Sequence, residues 1–98
     1  MTQYFAVVYR YADGSDDRRA ALRDDHVAFL RGLHEARSLR VSGRLHDDDR
    51  AGALLVLAGS NAAAVTDLLD GDPFWSARLV ERRDVIAWDV VFGSEVLG

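Results

Sequence analysis

One histidine of this sequence falls where a helix would turn its apolar face. In the stretch RDDHVAFLRGLHEA, residues 23–36, the apolar residues Leu22, Phe29, Leu30, Leu33 and Ala36 recur at helical spacing. At about 100° per residue, Leu22, Leu30 and Leu33 lie within roughly 40° of His26. An imidazole held by a carboxylate is a recurrent acid–base device. The carboxylate fixes tautomer and ring orientation and stabilises the imidazolium, while the free nitrogen moves a substrate proton. Candidate carboxylates are Asp72, in the stretch DGDPF, and the run Asp47, Asp48, Asp49 that follows His46. Each residue also has a plain structural account. On periodicity alone, His26 reads as a hydrogen-bonded core histidine. Asp72 before Pro73 is an ordinary helix start, with aspartate as cap and proline at the first position. The acidic run reads as a solvated hairpin, and His34, at the edge of the stripe, as a surface residue. Three acids in a row could bind a hard cation, but no EF-hand-like spacing accompanies them, so no metal is expected. Arg10, Arg23, Arg40 and Arg44 could hold an anion or simply be solvated.

The elements that must position these residues follow from pattern. Residues 3–11, QYFAVVYRY, are rich in β-branched and aromatic types and read as a strand. The turn cluster ADGSDD, 12–17, leads to a helix from about Arg18 to Ala36, capped by Asp16 or Asp17. LRVSGRLH, 39–46, alternates Leu39, Val41, Gly43 and Leu45 against Arg40, Ser42, Arg44 and His46, a half-exposed strand. DDDRAG, 47–52, is a hairpin connection, and ALLVLAG, 53–59, a buried strand. Ser60 or Asn61 caps the short helix AAAVTDLL. DGDPFWSA, 70–77, is a turn with room for one helical turn, and the last strand is expected in the second half of 79–93. Strand, helix, strand, strand, helix, strand is the ferredoxin-like βαββαβ plan, an α+β fold with an antiparallel sheet and both helices on one face. Its first and third strands are central. The plan gathers His26, Asp72 and the hairpin acids at one edge of the domain.

Composition bounds the rest. The 98 residues form one domain by length, with 49% hydrophobic and 29% charged residues. A net charge of -4 argues against a nucleic-acid partner. The absence of cysteine excludes disulfides and thiol chemistry. No apolar run approaches the length of a membrane span, and no basic leader precedes an apolar segment, so the cytoplasm is expected. Two short helices cover one sheet face, yet the strands carry apolar groups on both. The expected cover is a second copy of the same sheet, giving a twofold homodimer.

Taken together, Arg23 and His26 before an apolar helix, Gly43 in the second strand, Asp72-Pro73-Phe74, and Trp88 in the last strand resemble the YCII-related (YciI-like) family. The resemblance spans nearly the whole chain. It implies a dimeric α/β barrel with a His–Asp dyad, carried here onto His26 and Asp72, and a substrate pocket near Arg23, Ser42, Gly43, Arg44, Phe74 and Trp88. One departure stands out: family members often have Gly-Pro in the second strand, where this chain has Gly43-Arg44. The activity implied is acid–base chemistry of the lyase or isomerase type, dehydrochlorination of a hydroxylated ring being one branch. It needs no cofactor and acts on a small, aromatic or anionic metabolite. Two alternatives stay open: a non-catalytic ligand-binding or accessory dimer, and a cofactor-free monooxygenase on the same barrel.

Overall fold

The computed structural model describes residues 2–47 and 50–98; of the hairpin acids, Asp48 and Asp49 lie outside the described residues. The elements run β1 (Tyr4–Tyr11), α1 (Asp16–Glu35), β2 (Leu39–Asp47), β3 (Arg50–Ala58), α2 (Ala62–Leu69), α3 (Pro73–Ser76), β4 (Val80–Trp88) and α4 (Ser94–Leu97). All pairings are antiparallel, and the strand order β2-β3-β1-β4 places β3 and β1 at the centre, as the βαββαβ plan requires. The molecule is therefore α+β, with a four-stranded antiparallel sheet.

Strand alternation sorts the side chains between two faces. Phe5, Val7 and Tyr9 of β1 join Leu55 and Leu57 of β3 in the core beneath the helices, with Leu33 of α1, Val65 and Leu69 of α2, and Phe74 of α3. The opposite face remains apolar. It exposes Val41, Leu54, Ile86 and Trp88 at 37–53%, and the strand registers set Val41 beside Val56, Ile86 beside Ala6 and Trp88 beside Tyr4.

Three details depart from the sequence reading, and one choice it left open, the cap of α2, is decided. Asp16 and Asp17 stand in the first turn of α1 and do not cap it; Ser15 holds the cap position, and its Oγ accepts from Arg19 Nε at 2.9 Å. Asn61 takes the cap of α2, accepting from the Ala64 N–H at 2.8 Å. The hairpin is tighter than expected, because Asp47 already pairs with Arg50. The last strand occupies the first part of 79–93, ending at Trp88 because its ladder partner, β1, begins at Tyr4 opposite it. The charges at 81–83, within the strand, are all paired: Glu81 with Arg50 at 3.5 Å, Arg82 with Asp84 at 3.0 Å and Arg83 with Asp70 at 2.7 Å.

A bulge shapes the site. The β2–β3 register shifts between Leu39 and Val41. An extra residue there reverses the local face assignment. Leu39 therefore drops into the core opposite Leu57, whereas Val41, Gly43 and Leu45 turn to the open face. Ser42, Arg44 and His46, opposite Leu55, Ala53 and Ala51, look toward the helical side. The single alternating stripe expected from Leu39 to Leu45 is thus broken at its first residue. A polar strand face is set against α1, with a cleft between them.

Candidate functional site

The helical register delivers His26 to the inner side of α1. It is one of two buried residues of that helix, the other being Leu33. Its Nδ1 lies 2.8 Å from Oδ1 of Asp72, a residue with no solvent exposure. A carboxylate is an acceptor, so Nδ1 donates, and the neutral ring carries its lone pair on Nε2. The ring lies flat on Phe74, with centroids 3.9 Å apart and planes 2° from parallel.

Asp72 does both of the things the sequence offered as alternatives. As cap of α3 it accepts from the Phe74 N–H at 2.9 Å, with Pro73 at the first helical position. The same oxygen receives His26, and the second oxygen receives the Tyr9 hydroxyl at 3.0 Å. A buried carboxylate needs such donors, since each lone pair left without one costs stability. Phe74 therefore acts twice: its backbone holds Asp72 and its ring holds His26.

Tyr9 is the residue the sequence reading missed. A signal was present. Tyr9 alternates inward with Phe5 and Val7 on a central strand, and a buried tyrosine needs a partner for its hydroxyl. Burial raises the Tyr9 pKa far above the ordinary tyrosine range, and the neighbouring Asp72 charge adds to the effect. Tyr9 accordingly stays a proton donor to Asp72 across the working pH range. Tyr11, two residues on, is also raised by burial, with the Arg19 guanidinium pulling against it. Its ring meets Phe74 edge-on at 5.7 Å and lies under Arg19, whose guanidinium carbon is 4.3 Å from the ring centre.

His26 and Phe74 open onto a cleft of about 240 Å3 between α1 and the β2–β3 hairpin. Of the residues expected near the pocket, Arg23, Ser42, Gly43, Arg44 and Phe74 line it. His46 also lines it, whereas Asp47 turns to the other face and pairs with Arg10 at 2.8 Å. Trp88 is not brought to the cleft. It stands beside Tyr4 on the open face, because even-numbered residues of β4 point away from the helices there; its inward neighbours are Arg83 and Val85. Among the described residues, no group of three or more His, Asp and Glu side chains converges as a metal site would require. Among the described residues, no helix is long and apolar enough to cross a membrane.

The chain matches no curated protein. Among solved structures it is similar to 5-chloro-2-hydroxyhydroquinone dehydrochlorinase from Burkholderia phenoliruptrix, determined in complex with 2,5-dihydroxybenzoquinone. The TM-score is 0.77 and the identity 24%, over 94% of this chain and 97% of that one. At that identity the likeness speaks for the fold. Residues 3–89 match the YCII-related domain. With the match running from before β1 to the end of β4, the chain belongs to the YCII-related domain family.

Proposed function

We propose that the chain, taken as one domain, is a small acid–base enzyme of the lyase or isomerase type, with His26 as the proton-transferring group and Asp72 as its orienting partner. The hydrogen bond between His26 Nδ1 and Asp72 at 2.8 Å, at the wall of an accessible cleft, carries this reading. In the reaction, Nε2 accepts a proton from a C–H or O–H of the bound molecule, and the electron pair left behind moves into the substrate. In an isomerisation the imidazolium returns the proton at another atom. In an elimination the pair expels a leaving group as an anion, and the proton is lost to solvent afterwards. Neither course draws on a redox partner. The similarity to a dehydrochlorinase supports the elimination form, with a hydroxylated ring as substrate.

A homodimer joined through the apolar sheet face belongs to the same proposal. Val41, Leu54, Ile86 and Trp88, exposed on one face of a sheet whose other face is covered, support it. Sedimentation equilibrium should then return a dimer at micromolar concentration; a stable monomer would dispose of that part.

The central test is kinetic. On a substrate found by screening hydroxylated aromatic and enolisable acids, His26→Ala should lose about 10²–10⁴-fold in kcat, the usual contribution of a general acid–base group. Unchanged turnover would reject the assignment. A non-catalytic binding dimer remains the second reading. It is favoured by the completeness of Asp72's structural bonding, which explains that residue without catalysis.

A further inference from the structure

The charge around the cleft does not resemble the charge of the molecule. The chain carries a net charge of -4, yet no described residue lining the cleft is acidic, and Arg19, Arg23, Arg44, His26 and His46 all line it. All twelve basic residues of the chain are arginines, whose planar guanidinium grips carboxylates and other oxyanions through paired bonds. Arg19 is already engaged, with Asp16 at 2.6 Å and Ser15 at 2.9 Å. Arg23 on the helical wall and Arg44 on the strand wall have no carboxylate partner among the described residues, in contrast to Arg10, Arg50, Arg82 and Arg83. The bulge in β2 is what aims Arg44 this way; without it Arg44 would lie on the face opposite to Leu39 and the core.

We propose that the substrate is a ring-sized dianion, with one anionic group at Arg23 and the Tyr11 hydroxyl and the other at Arg44, which sets the exchanging proton at His26 Nε2. Size supports this. A cleft of about 240 Å3 falls below the ~300–1,000 Å3 of typical ligand sites, which leaves room for one substituted ring. Phe74 offers that ring an aromatic edge, and Leu30, Val27 and Ala53 complete the apolar lining. Tyr11 shares the cleft lining with Arg19, Arg23 and Arg44, and all three positive charges act on its hydroxyl. Asp72, fully buried behind His26, sets its charge against these arginines at Tyr11, and its oxygens are taken up by His26, Phe74 and Tyr9, so it offers a ligand no contact of its own.

The inference rests on the proposed acid–base reading for the place of the reacting proton, but its test needs no turnover. Isotope-labelled protein is titrated with benzamide, benzoate and the three benzenedicarboxylates while amide and imidazole signals are followed. Benzoate should bind about tenfold tighter than benzamide, and the best benzenedicarboxylate about tenfold tighter again, with shifts at His26, Ser42 and Arg44. Arg23→Gln and Arg44→Gln should each weaken the dicarboxylate about tenfold and leave benzamide unaffected. Equal affinities across the charge series, or shifts confined to the opposite sheet face, would overturn it. The two proposals fail separately. A charge ranking together with unchanged turnover in His26→Ala sinks the catalytic role and leaves the anion site standing. A flat ranking with His26-dependent turnover does the reverse.

Discussion

Asp72 bonds three donors at once, so its replacement should be costly in a way that depends on what replaces it. Alanine removes the α3 cap, which costs about 1 kcal/mol. It also strands the buried Tyr9 hydroxyl and the His26 Nδ1–H, each of which costs about 1–3 kcal/mol without a partner. The sum is about 3–7 kcal/mol, against the ~5–15 kcal/mol that holds an ordinary domain together. Asp72→Asn keeps an acceptor for Phe74 and for His26, and the Tyr9 hydroxyl can rotate to accept from the new amide, so about 1–2 kcal/mol is expected there. Urea unfolding followed by the fluorescence of Trp75 and Trp88 measures both. Nitrogen-15 spectra of the imidazole supply the functional half: wild type should show the neutral ring protonated at Nδ1, and the asparagine variant a share of the other tautomer. A loss below about 1 kcal/mol for Asp72→Ala would refute the idea that these contacts act as one network.

Three further outcomes follow from the same coordinates. Tyr9 keeps its proton in the folded state beyond the ~10 at which it ionises in the unfolded chain, so the unfolded state binds fewer protons in alkali; the stability is fully present below about pH 10 and falls by about 1.4 kcal/mol per pH unit above it. Urea midpoints at rising pH check this, and Tyr9→Phe should flatten the slope. A Cβ at Gly52 would overlap the Tyr9 carbonyl on the neighbouring strand, so Gly52→Ala should cost about 2 kcal/mol and lower the melting temperature by about 10 °C, measurable by circular dichroism. Arg78 ends α3 with φ +61°, a left-handed position that glycine adopts more readily, while its neighbour Leu79 donates to the Phe74 carbonyl at 2.9 Å. Arg78→Gly should therefore raise stability by about 0.5–1 kcal/mol in the same assay and leave ligand binding unchanged.

The order of elements was legible because each kept its own period: β1 and β3 as apolar runs, α1 as a stripe, Asn61 and Asp72 as caps. His26 was legible as an inward residue for the same reason. What could not be read was register. The bulge at Leu39–Val41 leaves no mark on composition, yet it decides which way Arg44 faces. Trp88 was placed near the pocket by the resemblance alone: its side of β4 follows from its pairing with Tyr4, a long-range fact. The charged start of β4 concealed a strand because its ion-pair partners, Arg50 and Asp70, come from other elements. Asp72 was ambiguous because local spacing shows a cap equally well whether or not a histidine lies 46 residues upstream.

The span of the Asp72 contacts has a consequence for how the His26–Asp72 pair comes to be formed. Tyr9 and His26 reach Asp72 across 63 and 46 residues of chain. The central strand β1, which carries Tyr9, gains its β4 ladder only when residues 80–88 exist. Contacts of such separation form late, after the loop entropy between them has been overcome. A nascent chain that stops before α3 has the cleft wall of α1 and the arginines of both sides, but no carboxylate to turn the imidazole. Competence for proton transfer would then appear in a single step with the completed fold. Refolding followed by imidazole tautomer and by tryptophan fluorescence should show one common rate.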